Sequence, residues 1–305
     1  MLRPIAFMEA CRRRFGDTFS VRFTGFRSPL VMTSDPTAIR ILYSNPDNRL
    51  PPGRSFSLEP VVGSRSLLLQ EGAEHLERRR LMLPQFHGQR IRAYEELVAE
   101  IVDRELERCP LDRPFAAHPH IQHATLEVIL RAVFGVTDSG RLERLRRLLP
   151  QLLDSTSSTT LQLRILLARR ARRESPVRKI RVLKREIGRE LSSEISERRR
   201  DGTACNRNDI LSMLLVSRFE DGGAMDDPEV RDQLMTLLVA GHETTATALA
   251  WSLDLLVQNP VALARLTEEL EQGEGEGYLR AVIQESLRLR PVVSLAGRRL
   301  ASELV

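Results

Sequence analysis

A carboxylate and two hydroxyl groups stand in the middle of the most apolar stretch of the sequence. Residues 240–245 read AGHETT, and the segment from Leu234 to Leu256 is apolar around most of a helical circumference. Such a segment predicts a buried helix, where polar groups are costly unless they have a partner or a task. The Thr244 hydroxyl can donate to the Ala240 carbonyl, and Glu243 beside it can act as a proton source. These residue types suit proton transfer next to a bound ligand.

One broad face of the same helix carries small side chains at its centre and large side chains at both ends. On a helical wheel, Ala240, Gly241 and Thr244 share this face with Leu237 and Trp251. A flat ligand can lie in such a notch, close to the backbone. The alternative is a plain core helix with a back-bonded threonine and a glutamate paired to a distant arginine.

A second pattern places His75 and Arg79 four residues apart, ahead of a proline and a phenylalanine. That spacing projects both side chains from one helix face, and two donor groups so placed suit a ligand with carboxylates. The alternative is a solvated basic face formed by residues 78–80. Nucleic-acid binding is disfavoured, because no aromatic residues interleave with these arginines.

A third pattern is ESLRLRP at residues 285–291, in which Glu285 precedes Arg288 by three positions. This spacing allows an ion pair on one helix. The apolar stripe of the segment lies on the opposite side, so periodicity alone predicts that the pair faces water.

The run HPHIQH at residues 118–123 contains three histidines, which are common metal ligands. No cysteine or carboxylate lies next to them in the sequence to complete a ligand set. The run also has the character of a loop that leads into a helix. We therefore predict no metal site.

Composition sets the broad class of the protein. The 305 residues are 42% hydrophobic and 29% charged, and the net charge is +5. Nearly all of the positively charged residues are arginines. This balance is typical of a globular protein and is weak support for nucleic-acid binding. Three widely separated cysteines fit a reducing compartment. We expect a cytoplasmic protein without a membrane span, since the central apolar helix carries Glu243 and no signal peptide is visible.

Secondary-structure patterns predict a mainly α protein with a small β element near its start. Alternating residues from Thr18 to Thr24 predict a strand, with Leu30 to Thr33 as its hairpin partner. Residues 45–63 have no clean period and are predicted to be irregular. Helices are predicted at residues 36–43, 71–86, 89–108, 120–134, 141–153, 177–200, 210–217, 228–258, 261–271 and 277–290.

Taken together and in this order, the three patterns resemble the cytochrome P-450 family of haem-thiolate monooxygenases, of the bacterial soluble type. The resemblance covers essentially the whole chain, including the PPGR sequence at residues 51–54 and NDILSMLL at residues 208–215. It implies the mainly α fold of that family, a single domain over residues 1–305, and a haem cofactor.

The resemblance also implies a reaction and its participants. Glu243 and Thr244 would relay protons during dioxygen activation, and Ala240, Gly241 and Thr244 would lie against the haem. One oxygen atom of O2 would enter a small hydrophobic organic substrate. Electrons would come from a donor protein of the ferredoxin or flavodoxin type.

Further roles follow from the resemblance for residues outside the central helix. His75, Arg79 and Arg298 would hold the haem propionates, and Arg299 aligns with the last of these positions equally well. Glu285 and Arg288 would be buried structural ion partners beneath the haem, contrary to the periodicity of their segment. No residue is predicted as a metal ligand.

The sequence departs from the family pattern at the iron ligand. The family carries a cysteine in a loop of the form F-x-x-G-x-x-x-C-x-G, downstream of the Glu-x-x-Arg helix, and the sequence ends 17 residues after Arg288. Cys11, Cys109 and Cys205 have no such context. We therefore expect a truncated chain that is inactive by itself. The alternatives are a non-catalytic remnant that binds no haem and a helical binding module with arginine-rich faces.

Overall fold

A computed structural model of the chain describes residues 4–22, 28–44, 58–86, 92, 94–157, 177–273 and 275–298. The fold is mainly α with one two-stranded sheet, as the sequence predicts. The chain divides into two compact units, one of Met1–Gly53 with Ala296–Val305 and the other of Arg54–Leu295. Within the described ranges, no helix combines the length and the hydropathy that crossing a bilayer requires.

The smaller unit contains two helices and the hairpin. Helix α1 (Pro4–Phe15) was not predicted, because its mixed composition has no clear apolar face. Strands β1 (Thr18–Val21) and β2 (Leu30–Thr33) pair antiparallel, and the rest of the predicted first strand extends into residues outside the described ranges. Helix α2 (Pro36–Tyr43) begins after Asp35, whose side chain accepts a hydrogen bond from the backbone N–H of Thr37.

The larger unit is helical throughout, and its boundaries follow the predicted helices to within a few residues, apart from residues 89–94, which are largely outside the described ranges. A short helix also lies in the segment predicted to be irregular. The bounds are α3 (Glu59–Val62), α4 (Gly72–Met82), α5 (Glu95–Leu106), α6 (Ala117–Val128), α7 (Ser139–Ser157), α8 (Val177–Asp201), α9 (Ile210–Val216), α10 (Asp227–Val257), α11 (Pro260–Gln272) and α12 (Gly277–Leu289). Helix α6 continues into a π turn over Ile129–Val133, and 3-10 turns cover Leu83–Phe86 and Thr203–Asn206.

Helix α10 is the central element of this unit, but only its first half is buried. Leu234 and Leu238 are fully buried in a core that α6, α7, α8 and α9 complete. Trp251 is 40% exposed and Val257 is 72% exposed. The expectation of a helix buried along its whole length is therefore wrong for its second half, because the described helices that pack there, α11 and α12, cover only part of the circumference.

The segment that precedes α4 is held against the first half of α10 by side chains of that helix. The Gln233 amide donates to the Arg65 carbonyl at 2.8 Å and accepts from the Leu67 amide at 3.1 Å. Gly63 has φ +90°, and the carboxylate of Asp232 lies 2.1 Å from the point where a Cβ would stand, so only glycine fits. These contacts fix where α4 begins relative to α10.

Candidate functional site

The small-residue notch on α10 has the local geometry that its sequence predicts. The Thr244 hydroxyl donates to the Ala240 carbonyl, four residues earlier on the helix. Ala240 is exposed, and Thr244 is partly exposed. A threonine back-bonded at an open helix face presents its hydroxyl oxygen beside a surface that a flat ligand can cover.

Gly241 lies on a different side of the helix from the one we expected. Its bare Cα faces the π turn that follows α6, and the Ile129 Cδ1 atom lies 3.2 Å from the position of an added Cβ. Glycine here allows the π turn and α10 to approach closely, because a Cβ at this position would meet Ile129 more tightly than in an ordinary van der Waals contact. Any contact from Gly241 to a ligand must come from its backbone.

Glu243 contacts helix α6, and no arginine in the described ranges pairs with it. The Gln122 amide donates to Glu243 Oε2 at 2.9 Å, and the His118 Nε2 atom lies 4.0 Å from Glu243 Oε1. The alternative of a glutamate paired to a distant arginine is therefore wrong. A carboxylate that keeps 42% exposure and a neutral donor can still exchange protons with its surroundings.

The histidine run at residues 118–123 lies on helix α6, which corrects our expectation of a loop. Its histidines face two neighbouring helices, α5 and α10. His120 Nδ1 and His123 Nδ1 each lie 2.8 Å from the Glu105 carboxylate of α5. Sequence adjacency could not reveal this carboxylate, because tertiary packing of α5 on α6 supplies it. Over the residues that the structure describes, no cluster of three or more His, Cys, Asp or Glu side chains is placed to bind a metal.

His75 and Arg79 lie on α4 as a pair of donors that have no partner among the residues that the structure describes. Neither side chain makes a hydrogen bond or an ion pair with any residue in the described ranges. Burial and, next, the Arg79 charge lower the pKa of His75, which favours the neutral imidazole at neutral pH. A neutral N–H donor beside a free guanidinium fits the carboxylates of a haem, by the chemistry of the donors.

The neighbouring arginine has a different task. Arg78 is 18% exposed, and its Nε atom lies 2.6 Å from Glu229 of α10. The alternative of a solvated basic face over residues 78–80 is therefore wrong for Arg78. This ion pair ties α4 to α10 and leaves Arg79 directed elsewhere.

Glu285 and Arg288 form the predicted ion pair, but the pair is not buried. Two hydrogen bonds of 2.7 and 2.6 Å join the guanidinium to the carboxylate, and the two side chains keep 55% and 67% exposure. The burial that the resemblance implies is thus corrected, since no described element covers this side of α12. Periodicity, which places the pair in water, describes the geometry.

Replacing Arg288 by alanine is expected to leave the free energy of unfolding of the 305-residue chain close to that of the parent. An exposed pair gains little Coulomb energy in water and orders two long side chains. Urea unfolding of Arg280→Ala, which removes the exposed Arg280–Glu276 pair at the beginning of α12, is the matched comparison. A loss much larger than that of the control would mean that the pair is covered in solution.

Arg298 belongs to the smaller unit, where its guanidinium lies 4.8 Å from the centre of the Tyr43 ring. Its Nη1 atom donates to the neighbouring Gly297 carbonyl. Within the described ranges, no other hydrogen bond of this guanidinium is found, so four of its five N–H groups have no partner there. Its role toward a haem propionate stays a prediction.

His242 is a buried base beside the acid Glu243. It is 4% exposed, and its Nδ1 atom lies 2.9 Å from the Thr125 hydroxyl of α6. Burial lowers its pKa, while the Glu243 charge partly opposes that change. The neutral ring therefore contributes stability that is present above the ordinary histidine pKa of about 6.5 and is lost as pH falls through the lower folded value.

Replacing His242 by asparagine is expected to flatten the decline of stability on the acid side. Asparagine keeps a polar atom near Thr125 but binds no proton, so one proton fewer is taken up on unfolding. The check is the free energy of unfolding in urea at about pH 7.5 and about pH 5.5. An equal pH dependence in both proteins would show that His242 does not titrate differently on folding.

Comparisons with known proteins give the same family over almost the whole chain. The cytochrome P450 family model matches residues 3–305. The P450 designated 135B1 of Mycobacterium tuberculosis is 39% identical over 307 residues, which is 98% of this chain and 64% of the relative. The P450 designated 137 of the same species is 36% identical over 294 residues, covering 96% of this chain and 61% of the relative. The chain thus spans less than two thirds of the length of these curated relatives.

The fold is also similar to solved P450 structures. The cyanobacterial CYP120A1 with bound retinoic acid superimposes with a TM-score of 0.82 at 24% identity, over 99% of this chain and 69% of that one. The haem domain of cytochrome P450DA gives a TM-score of 0.72 at 20% identity, over 93% and 64%. At these identities the similarity is evidence for the fold. With the family model matched over residues 3–305, the chain belongs to the cytochrome P450 family, whose cofactor is haem.

Proposed function

We propose that the chain serves a haem-dependent monooxygenase that transfers one oxygen atom of O2 to a small hydrophobic organic substrate. The observation that carries this proposal is the Thr244 hydroxyl, back-bonded to Ala240 on an open helix face, with the Glu243 carboxylate next to it. An alcohol and an acid at adjacent positions can move a proton to a reacting centre and hold it there.

The residues of α4 and α10 fit a haem in complementary ways. His75 and Arg79 would bind its propionates, and for Arg298 a propionate contact rests on the family resemblance alone. The exposed Ala240 and the partly exposed Thr244 would lie against its face, and Gly241 would contribute backbone only. When bound, haem iron supplies the activation of dioxygen.

The apolar wall of the notch has its own part in this function. Leu237 and Ala248 flank the polar pair on α10 and are each partly buried. Apolar walls keep bulk water away from a site, so that protons arrive through Glu243 and Thr244 and not at random. Such walls also favour a hydrophobic substrate.

The partners follow from the same proposal. Monooxygenation consumes two electrons for each O2, and we infer that a ferredoxin- or flavodoxin-type protein delivers them. This part of the proposal rests on the family resemblance alone.

The proposal is tested with a chimera in which these 305 residues replace the matching two thirds of the P450 designated 135B1. The chimera is expected to take up haem stoichiometrically and to show the thiolate-type absorption of its carbon monoxide complex. The 305-residue chain alone is titrated in parallel, which separates a chain that binds haem from one that binds none. A folded chimera that takes up no haem would favour the non-catalytic remnant or the binding module.

Replacing Thr244 by alanine in the chimera is expected to uncouple oxygen consumption from product formation. General acid–base catalysis contributes about 100-fold or more where a positioned group moves the proton, so we expect product per O2 to fall about tenfold or more while O2 uptake continues. The substrate for this assay is the apolar compound in a test panel that shifts the haem absorption most. Thr247→Ala, one turn along α10, is the control.

Unchanged coupling in Thr244→Ala would remove this hydroxyl from the mechanism. Equal uncoupling in both variants would mean that the loss comes from a general disturbance of α10. Thr244→Ser, which keeps the hydroxyl, is expected to restore most of the coupling.

A further inference from the structure

A polar layer lies between α6 and the middle of α10. His118, Gln122 and Thr125 share one face of α6, because they are spaced by four and then three residues. On α10 they meet His242 and Glu243. Beyond this layer, Leu126 of α6 and Ile129 and Leu130 of the following π turn belong to the apolar core.

Within this layer, Glu243 is held on the side of α6. Gln122 Nε2–H donates to its Oε2 atom at 2.9 Å. Among the described contacts, none joins the Glu243 carboxylate to the Thr244 hydroxyl, which donates to Ala240 instead. The amide of Gln122 cannot take up or release a proton, so its contribution is to fix the direction of the carboxylate.

The other carboxylate oxygen points towards a group that can carry a proton. His118 Nε2 lies 4.0 Å from Glu243 Oε1, and the His118 side chain is 41% exposed. That distance is spanned by one water molecule or by a small rotation of either side chain. His118 is therefore exposed to solvent on one side and approaches the Glu243 carboxylate on the other.

We propose that α6 supplies protons to Glu243, with Gln122 as the residue that positions the carboxylate and His118 as the residue that carries the proton from solvent. In the transfer, the protonated imidazolium of His118 loses its Nε2 proton, an O–H bond forms at Glu243 Oε1, and the products are a neutral imidazole and a neutral carboxylic acid. The neutral imidazole then takes a proton from water. The inference rests on the proposed function, because that function gives Glu243 its task.

His242 provides a reporter for the position of the Glu243 charge. Three other groups act electrostatically on its ring: Glu243, His118 and Asp154 of α7. The Glu243 charge raises the pKa of His242 against the effect of burial. If the carboxylate leaves its place beside α6, the titration of His242 moves to lower pH.

The first measurement uses the 305-residue chain without haem, labelled with 15N-histidine. The sequence has six histidines, so the ring signals can be assigned by single replacements. We expect Glu243→Gln to move the His242 titration to lower pH, and Gln122→Ala to move it part of the same way. Gln122→Asn, which is too short to reach Glu243, should behave like Gln122→Ala. His123→Gln, on the α5 side of the same helix, should leave it unchanged.

The second measurement uses the haem-loaded chimera. His118→Gln keeps a polar side chain that cannot carry a proton, and we expect product per O2 to fall and the solvent deuterium isotope effect on turnover to rise about twofold or more. His123→Gln is again the control. A His118→Gln protein with parental coupling and isotope effect would overturn the proton-carrier role.

The two measurements test different parts of the proposal, so that each part can be overturned independently. An unmoved His242 titration in both Gln122 variants, with Glu243→Gln shifted, would overturn the positioning role. No shift in Glu243→Gln would overturn the placement of this carboxylate beside His242. Failure of haem uptake would overturn the proposed function, while the haem-free titrations would still decide whether Gln122 holds Glu243.

Discussion

Replacing Arg198 by methionine is expected to lower the free energy of unfolding by about 3–5 kcal/mol, which is the usual cost of removing one partner from a buried ion network. Arg198 is 2% exposed. Its guanidinium donates to Glu194 of its own helix, to Asp209, which caps α9, and to the carbonyls of Phe134 and Gly135 after the π turn. The variant leaves two carboxylates and two carbonyls in the core without this donor.

The size of that effect follows from what the arginine joins. One planar group connects α8, the beginning of α9 and the end of the π turn, which are far apart in the sequence. Methionine fills a similar volume but satisfies none of these acceptors. The loss should therefore appear as weaker tertiary stability, with the helices themselves largely retained.

Urea unfolding followed by circular dichroism measures this change. Arg144→Met is the matched control, because Arg144 pairs with Glu190 of the same helix α8 but remains largely exposed. The control should unfold close to the parent. A loss below about 1 kcal/mol for Arg198→Met would show that water or neighbouring arginines replace the guanidinium at little cost.

Replacing Arg79 by alanine is expected to weaken haem binding by about 10- to 100-fold, because a charge-assisted hydrogen bond contributes about 1.5–3 kcal/mol. His75→Ala should weaken it in the same direction. Arg79 makes no ion pair within the described ranges, so its removal leaves no protein group unpaired. Helix content and the unfolding midpoint without haem should therefore stay close to those of the parent.

Haem titration of the chimera, followed by absorption, tests this prediction. Arg80→Ala is the control on the same helix, since Arg80 is 71% exposed and its ion partner among the described residues is Glu220 at 3.4 Å. Equal haem affinity in Arg79→Ala and the parent would show that Arg79 is an ordinary surface arginine that does not bind haem. Equal weakening in Arg79→Ala and Arg80→Ala would indicate an effect of total charge and not of a specific contact.

The sequence predicted those features that depend on neighbours along the chain. Helix α10 was predicted at residues 228–258 and is observed at Asp227–Val257, with Asp226 as its N-cap. The Thr244 bond to Ala240 and the Glu285–Arg288 contact are likewise set by spacing on a helix. The order of the three motifs also predicted the family, which the family model confirms over residues 3–305.

Tertiary structure alone decided what those side chains face. Glu243 meets Gln122, and His120 and His123 meet Glu105, because α6 packs against α10 on one side and against α5 on the other. The spacing of the polar residues at 118–125 is enough to show that they share one face of α6. No local rule names its partner, because contact between residues more than a hundred positions apart is set by the packing of whole helices.

The same distinction explains the errors about burial. Periodicity shows which side of a helix is apolar, but burial depends on whether another element lies on that side. Helix α10 is apolar along its length, yet Trp251 is 40% exposed, since the described helices around its second half leave one side open. Glu285 and Arg288 are exposed for the same reason. The sequence by itself determined the helices, the motifs and the family of this protein, whereas only the tertiary structure determined the partner of Glu243, the side that Gly241 faces and the extent to which each helix is covered.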